Sequence, residues 1–109
     1  FRGFNYVDDV VEALLIAGTS DKVVGDYFNL GGMQPVTLEC LTQTLVRITG
    51  TGSYRIVPFP DDRKNIDIGS TFSSYMKFYF ATGWKPTTSL EDGLARTVEY
   101  YRRHKAHYW

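Results

Sequence analysis

Apolar positions recur at helical spacing soon after the start of the chain. An aromatic and β-branched run at residues 4–7 is followed by apolar residues every three or four positions, which predicts a helix over about residues 9–18. Asp8 stands directly before this helix, where a carboxylate can accept from the unpaired N–H groups of the first turn, so we expect Asp8 to be the N-cap. The expected inner face carries Val10, Ala13, Leu14 and Ala17.

The same period predicts three further helices. The second begins after a Thr37 N-cap and ends at Gly50, a residue type that favours the left-handed conformation found at helix ends. The third runs from about Ser73 to Gly83, and the fourth begins at Ser89 in an arrangement like a capping box. Their apolar stripes are Leu38, Leu41, Leu45 and Ile48; Met76, Tyr79 and Phe80; and Leu90, Leu94, Val98 and Tyr101.

Short β-prone stretches lie between these helices. Residues 23–30 are closed by two glycines and residues 54–60 contain two prolines, so we expect each to be a short strand. A charged turn at residues 61–65 precedes a third extended piece at residues 66–68. The pattern therefore predicts an α/β domain of about four helices with short strands, and we expect Trp84 to be a hydrophobic plug behind the third helix.

Composition limits the classes of protein that this chain can represent. With 109 residues it is one domain at most, and 43% hydrophobic and 16% aromatic residues favour a folded chain. Twelve basic and twelve acidic side chains cancel, so no overall charge attracts nucleic acid or a membrane, and no apolar run approaches the length of a bilayer span. The single cysteine, Cys40, fits a reducing compartment, which makes a cytoplasmic location the expectation, and we expect its side chain to be buried or half-buried.

Several residue pairs suggest chemistry that their positions argue against. Asp8 and Asp9 are adjacent, and adjacent helical residues do not face each other, so a helix-capping role is favoured over acid–base catalysis. His104 and His107 form too poor a ligand set for a metal. Tyr101 and Lys105 have the four-residue spacing of a proton-transfer pair, but they lie in the terminal tail, so we interpret the spacing as coincidence. We expect no catalytic residue and no metal ligand in this chain.

A dinucleotide cofactor needs a glycine-rich turn between a strand and the start of a helix, so that its pyrophosphate can approach the helix N-terminus. The pair at Gly31 and Gly32 precedes Met, Gln and Pro, and the pair at Gly50 and Gly52 follows a helix instead of opening one. We therefore expect this chain to bind no cofactor by itself.

The order of residues in the opening segment, 2–9, indicates a protein family more specifically than its side chains indicate a reaction. It resembles the corresponding segment of the extended short-chain dehydrogenase/reductase superfamily, and more narrowly that of the nucleotide-sugar epimerases and dehydratases. The resemblance continues in order through four further motifs and covers nearly the whole chain. The five motifs are Arg2-x-Phe4-x-Tyr6-Val7-Asp8-Asp9, Phe28-Asn29-Leu30-Gly31-Gly32, Asp67-Ile68-Gly69, Gly83-Trp84-Lys85-Pro86 and Ser89-Leu90-Glu91-Asp92-Gly93-Leu94.

The resemblance implies a role for the chain as a whole. It is similar to the carboxy-terminal, substrate-binding part of such an enzyme, without the Rossmann domain that would bind NAD(P) and carry the catalytic residues. Because the chain starts at Phe1, inside a motif, we expect a fragment of a longer enzyme that is inactive in isolation. The expected partners are a nucleotide-diphosphate sugar and the missing Rossmann domain, and a homodimer is left open.

Four residues are the candidate substrate contacts. The planar guanidinium of Arg2 can bind phosphate oxygens in pairs, and the resemblance implies that Arg2 and Arg63 hold the diphosphate. For Arg2 the alternative is a solvated or salt-bridged side chain, and for Arg63 it is a surface ion pair with Asp61 or Asp62. Asn5 and Tyr6 are the candidates for contact with the sugar or the nucleotide, although an aromatic residue in a strand is often part of the core.

Two alternative functions stay open at this point. One is the corresponding part of a related reductase with a non-sugar substrate, for which phosphate-binding arginines would have no use. The other is a non-enzymatic interaction module, in which the expected strand edge at residues 27–30 and the aromatic helix at residues 75–80 would contact partners. The sequence does not distinguish an epimerase from a dehydratase, a decarboxylase or a reductase.

Overall fold

The computed structural model describes residues 1–64 and 69–108, and helices account for most of its regular structure. Within these residues the helices are α1 (Val7–Thr19), α2 (Leu38–Thr49), α3 (Asp61–Lys64), α4 (Met76–Thr82), α5 (Leu90–Arg103) and α6 (Lys105–Tyr108), with a 3-10 turn at Asp21–Val23. Strands β1 (Arg2–Gly3) and β2 (Pro35–Val36) pair in antiparallel register, and Arg2 also bridges Thr71. The predicted α/β fold with short strands is confirmed. No helix in the described ranges has the length and apolar character needed to cross a membrane.

Two of the strand predictions are wrong. Residues 23–30 leave the 3-10 turn as irregular chain, and residues 54–60 also form no ladder. A β-prone segment becomes a strand only where a second backbone lies beside it, and the only described ladder joins β1 to β2. Tyr27 lies in the first of these irregular segments and is 81% exposed, so it does not form the predicted strand edge. The third predicted piece, at residues 66–68, lies outside the described residues.

Four helix ends that depend on residues close in sequence are where we expected them, whereas α4 begins at Met76 instead of near Ser73. The Thr37 hydroxyl accepts from the Cys40 N–H at 3.0 Å, and the Ser89 hydroxyl accepts from the Asp92 N–H at 3.1 Å. Gly50 ends α2 in the left-handed conformation, with φ of 71°. Gly83 ends α4 in the same way, with φ of 81°. Each of these caps is closed by residues within four positions of one another.

The start of α1 differs from the prediction. The helix begins at Val7, the N-cap is Tyr6, and no side chain caps it. Asp8 is therefore not the N-cap; it lies exposed in the first turn beside Asp9, where the helix dipole favours a carboxylate. Tyr6 has an extended conformation and continues the segment after β1. The helix therefore begins at Val7, two residues earlier than its apolar pattern indicates.

An aromatic cluster forms the core. Phe78 and Trp84 are 2% and 3% exposed, and their ring centroids are 5.8 Å apart in an edge-on arrangement. Phe28 packs on Phe78 in the same manner at 5.4 Å, and Ala13 and Val23 complete the buried set. The prediction that Trp84 is a hydrophobic plug behind α4 is confirmed.

The inner faces of three helices differ from their predicted stripes. In α4 the buried residue is Phe78, whereas Met76, Tyr79 and Phe80 are exposed. Five of the seven positions of α4 are apolar, so the pattern cannot select the face. In α1 only Ala13 of the four expected residues is buried. In α2 the buried residue is Thr44, whose hydroxyl donates to the Cys40 carbonyl at 2.8 Å. Cys40 itself is exposed, so its predicted burial is wrong.

Asp9 joins α1 to the segment before α5. Its side chain is 4% exposed and accepts from the Thr88 N–H at 3.0 Å and from the Thr87 and Thr88 hydroxyls at 3.1 Å. The indole N–H of Trp84 donates to the Asp9 carbonyl at 3.1 Å. A buried carboxylate is tolerated only when it is hydrogen-bonded, and Asp9 obtains all three side-chain bonds from residues far along the chain.

Asp9→Ala should therefore destabilise the chain much more than Asp8→Ala. Loss of the Asp9 carboxylate leaves the Thr88 N–H without its acceptor, and we expect the free energy of unfolding to fall by about 2–4 kcal/mol. Asp8 is exposed and makes no hydrogen bond or ion pair through its side chain within residues 1–64 and 69–108, so only its interaction with the helix dipole is lost and Asp8→Ala should cost at most about 1 kcal/mol. Urea denaturation of both variants measures the difference. Equal losses would contradict the role assigned to Asp9.

Two glycines allow three segments of backbone to meet. A Cβ atom on Gly31 would lie 2.0 Å from the Ser73 carbonyl oxygen, and one on Gly32 would lie 2.2 Å from the Phe4 carbonyl oxygen. Both contacts are with backbone, which cannot rotate away as a side chain could. The residues before β2 are thereby held against the segment after β1.

Gly32→Ala and Gly18→Ala should change stability in opposite directions. The methyl group at position 32 forces backbone apart and should cost about 1–3 kcal/mol. Gly18 lies inside α1 with no atom within 4 Å of the added Cβ, so alanine there should stabilise the helix by about 0.5–1 kcal/mol. Thermal unfolding followed by circular dichroism tests both signs, and a neutral Gly32→Ala would show that the close approach is unimportant.

Lys77 connects α4 to the residues after the 3-10 turn. Its ammonium donates to the Asp26 carboxylate and to the Tyr27 carbonyl, each at 2.9 Å, and lies over the Tyr27 ring, 4.5 Å from its centroid. The hydrogen bond from Lys77 and a second one from the Tyr27 N–H lower the pKa of Asp26 below its usual value of 3.8.

The Asp26–Lys77 contact should therefore stabilise the fold above about pH 4 and lose its effect as the pH falls through the lowered pKa. An NMR titration of the Asp26 carboxyl carbon should give a midpoint below 3.8. In Lys77→Met the midpoint should return towards that value, whereas Lys85→Met removes the same charge elsewhere and should leave it unchanged. A midpoint that is the same in both variants would rule out Lys77 as the cause.

Candidate functional site

A cavity of about 400 Å³ lies between the segment after β1, the residues around β2 and the first turns of α5. This volume is within the range of small-molecule sites. Its apolar lining consists of Phe4, Met33, Val36, Leu41, Leu90 and Leu94. Its polar lining consists of Asn5, Tyr6, Gln34, Thr88, Ser89 and Thr97, with Gly93 completing the wall.

Local structure positions each wall of the cavity. Pairing of β1 with β2 sets the segment after Gly3 beside the segment before α2. Gly93 lies against the Tyr6 ring, so that a Cβ atom there would be 3.3 Å from the Tyr6 Cδ2 atom. Helix α5 packs along α2, and an ion pair between Arg47 and Glu91 links their exposed sides. The Tyr6 side chain therefore packs against α5.

The structure brings two of the four predicted site residues together at this cavity. Asn5 and Tyr6 both line it, with Tyr6 half-buried and Asn5 exposed. Arg2 is half-buried in β1, and its register partner Val36 lines the cavity, but Arg2 does not. Arg63 lies exposed in α3, also outside the lining. The roles of all four residues stay predictions.

One residue near the cavity was not predicted from the sequence. The guanidinium carbon of Arg96, in α5, lies 5.4 Å from the centroid of the Tyr6 ring, a cation–π distance. Arg96 follows Gly93 by three positions, which places both on one side of a helix. The spacing points to Arg96 only once Tyr6 is known to pack on Gly93, and that contact is seen only in the structure. The sequence alone therefore did not indicate that Arg96 lies beside Tyr6.

The residue pairs that we discounted from the sequence do not line this cavity, although Asp9 contacts one of its lining residues, Thr88. Asp9 is bonded to Thr87 and Thr88, so it is a structural acceptor and neither a helix cap nor half of an acid–base pair. The rings of His104 and His107 are 6.1 Å apart, and no group of three or more potential metal ligands occurs within residues 1–64 and 69–108.

The described glycines do not fit a dinucleotide cofactor. Gly31 and Gly32 are already filled by the close approach of two carbonyl oxygens, which leaves no room for a pyrophosphate. Gly50 ends α2 instead of opening a helix. The part of the chain that the structure describes therefore offers no glycine-rich turn of the kind that holds NAD.

Taken together, the fold and the cavity define a small α/β unit with a ligand-sized cavity and without a dinucleotide-binding turn among its described residues. No family model matches the chain. In sequence it is similar to a probable UDP-glucuronate 4-epimerase of Rhizobium meliloti (strain 1021), with 29% identity over 119 residues that cover 92% of this chain and 34% of the relative. It is also similar to UDP-glucuronate 4-epimerase 3 of Arabidopsis thaliana, with 31% identity over 113 residues (92% of this chain, 26% of the relative).

A third relative catalyses a different reaction. The dTDP-D-glucose 4,6-dehydratase of Mus musculus is 30% identical over 115 residues, which cover 99% of this chain and 31% of the relative. The chain thus spans about a quarter to a third of the length of these curated relatives. The resemblance to the nucleotide-sugar epimerases and dehydratases of the extended short-chain dehydrogenase/reductase superfamily is confirmed by these relatives.

The fold has a counterpart among solved structures. The UDP-glucuronic acid 4-epimerase from Bacillus cereus, determined in complex with NAD, superposes with a TM-score of 0.74 and 23% identity, covering 94% of this chain and 30% of that one. At this identity the similarity establishes the fold, and that fold is the one predicted from the sequence.

Proposed function

We propose that this chain is the substrate-binding domain of an NAD-dependent nucleotide-sugar epimerase or dehydratase, and that it binds the nucleotide diphosphate of the sugar substrate. The observation that carries the proposal is the ligand-sized cavity lined by Asn5 and Tyr6, which belong to the motif that starts at Arg2. The sequence relatives named above support it, since they act on UDP-glucuronate or dTDP-glucose by their names.

The charge distribution around the cavity suggests how a nucleotide sugar would bind. None of the residues that line the cavity carries a formal charge, so it suits a neutral ring, either a sugar or a base. A diphosphate needs cations, and Arg2 stands on β1 opposite Val36, which is part of the cavity wall. We therefore assign the ring to the cavity and the diphosphate to its outer side, next to β1.

Arg63 is proposed as the second guanidinium for the diphosphate. It lies exposed in α3, as a residue that meets a ligand from solvent should. The alternative is an ion pair with Asp61 or Asp62 of the same short helix, which would be worth little at an exposed position. Binding of a dianion by two guanidiniums would outweigh such a pair, because each charge-assisted bond contributes about 1.5–3 kcal/mol.

The chemistry of the reaction is assigned to another part of a longer enzyme. The described residues form no glycine-rich turn of the kind that binds a dinucleotide, so we propose that NAD and the catalytic residues belong to a Rossmann domain outside this chain. This chain alone should then bind a nucleotide sugar without converting it. Its location in the cytoplasm stays a prediction.

A calorimetric titration of the 109-residue chain with UDP and with uridine tests the proposal. UDP should bind more tightly than uridine, because only UDP carries the diphosphate. Arg2→Ala and Arg63→Ala should each weaken UDP binding about 10- to 100-fold, the effect of losing one charge-assisted contact, and leave uridine unaffected. Arg2→Lys keeps the charge without the planar fork and should give an intermediate loss.

Arg103→Ala is the matched control, because Arg103 is an exposed arginine that pairs with Glu99 on α5. It should leave UDP binding unchanged. Equal binding of UDP and uridine, or equal losses in Arg2→Ala and Arg103→Ala, would contradict the proposal. A binding site that is indifferent to the diphosphate would instead favour a related reductase with a non-sugar substrate.

An interaction module is the second candidate, and one observation favours it. Four apolar residues of α1 repeat at helical spacing and are 47–65% exposed: Val7, Val11, Leu14 and Leu15. Such a face is normally covered in a folded protein. A partner protein, a second copy or the proposed Rossmann domain would each cover it. Failure of every nucleotide to bind would leave interaction through this face as the better description, and sedimentation would then show whether a second copy covers it.

A further inference from the structure

Of the two threonines that line the cavity, Thr88 is bonded to a distant part of the chain. Its N–H donates to Asp9 Oδ2 at 3.0 Å and its hydroxyl donates to Asp9 Oδ1 at 3.1 Å, so one buried carboxylate holds both its backbone and its side chain. The hydroxyl of Thr97 donates within its own helix, to the Gly93 carbonyl at 2.7 Å. Thr88 is therefore a cavity residue whose orientation is determined by α1.

The hydroxyl and the methyl group of Thr88 face different surroundings. Both groups are bonded to one carbon atom and turn together between a few rotamers, so the bond from the hydroxyl to Asp9 also fixes the methyl group. That methyl group lies beside Gly93: a Cβ atom on Gly93 would be 3.6 Å from Thr88 Cγ2 and 3.3 Å from Tyr6 Cδ2. Gly93 and Tyr6 both line the cavity, so Thr88 adds a methyl group to that wall and turns its hydroxyl towards Asp9.

We propose that Thr88 is a specificity-determining residue whose methyl group contacts the ring of the bound ligand, and that Asp9 is the positioning residue that keeps this methyl group in the wall. The inference rests on the proposed function and adds to it the polarity of one wall of the site. Leu90 and Leu94 supply further apolar groups from the same helix as Gly93. This wall therefore suits the apolar face of a sugar or a base, and it disfavours a ring edge that needs hydrogen bonds.

Thr88→Ser and Thr88→Val separate the methyl group from the hydroxyl. Serine keeps the hydroxyl and loses the methyl group, so it should weaken binding of UDP-glucose to the 109-residue chain about fourfold, as the loss of one apolar contact of about 0.8 kcal/mol requires. Valine keeps the methyl group and loses the hydroxyl, so its affinity for UDP-glucose should stay close to that of the unaltered chain. Calorimetry measures both affinities. The same titrations with UDP identify the ring, since a loss with both ligands assigns the nucleoside to the cavity and a loss confined to UDP-glucose assigns the sugar.

The stability of the two variants should follow the opposite order. Thr88→Val removes one of the three donors to a buried carboxylate, so it should lower the melting temperature more than Thr88→Ser, which removes none. A residue that acts through the fold alone would lose affinity and stability in the same order. Thr87→Ser is the matched control, because Thr87 also donates to Asp9 Oδ1 at 3.1 Å but does not line the cavity. It should leave the affinity for UDP-glucose unchanged.

Asp9→Asn tests the positioning role. Asparagine has one acceptor oxygen where aspartate has two, so the N–H and the hydroxyl of Thr88 lose their separate acceptors and the side chain can turn. Binding of UDP-glucose should then weaken about as much as in Thr88→Ser. Adding Thr88→Val to Asp9→Asn should restore the affinity, because valine carries a methyl group in place of the hydroxyl as well. Circular dichroism establishes that each variant is folded at the temperature of the titration.

Several results would overturn the inference. Equal affinities of the unaltered chain and Thr88→Ser would do so directly, and a loss confined to Thr88→Val would place the hydroxyl, and not the methyl group, against the ligand. A folded Asp9→Asn variant that Thr88→Val does not restore would reject Asp9 as the positioning residue. Absence of UDP-glucose binding by the unaltered chain would reject the proposed function together with this inference, whereas failure of the inference alone leaves that binding intact.

Discussion

The arrangement of this chain depends on the hydrogen bonds made by Asp9. One buried carboxylate accepts from Thr87 and Thr88, and the carbonyl of the same residue accepts from the indole of Trp84. These bonds connect the first helix to the segment between α4 and α5 and so position the start of α5 relative to α1. Because α5 supplies one wall of the cavity, the site depends on a carboxylate that does not touch it. A buried acceptor of this kind is costly to leave unpaired. The hydrogen bonds of Asp9 therefore disfavour other packings of α1 against this segment, and they also stabilise the observed one.

Close backbone contacts at Gly31 and Gly32 supply the second constraint. Side chains are excluded there by carbonyl oxygens, so the residues before β2 can lie against Phe4 and Ser73. A two-residue ladder would be weak without this support, since isolated strand pairs are marginal in water. In many nucleotide-binding proteins paired glycines admit a phosphate, whereas here they admit neighbouring backbone. The same residue type thus serves packing instead of ligand binding.

Charge is separated from the cavity in a way that bears on its ligand. Its walls are neutral, while the nearby cations are carried by β1 and by α5. A ligand with a neutral ring joined to an anionic group would match this distribution, and a nucleotide sugar, whose sugar ring is joined to a diphosphate, is such a ligand. The exposed apolar face of α1 indicates a further surface that is incomplete by itself.

The sequence by itself determined the family resemblance, the four longer helices and the caps at Thr37, Gly50, Gly83 and Ser89. It could do so because a cap is closed by atoms within four residues of one another, and because motif order needs no coordinates. It named Asn5 and Tyr6 as site residues but could not find the cavity that they share.

Only the tertiary structure decided which face of each helix is buried, which β-prone segments find a partner, and what Asp9 and Arg96 contact. Phe78 is buried because Trp84 and Phe28 meet it, and Asp9 is paired with residues 78 and 79 positions away. Interactions of this kind depend on how distant segments pack together. The hydrophobic spacing along one segment carries no information about that packing. Local chemistry therefore predicted the elements, and long-range packing chose among their faces.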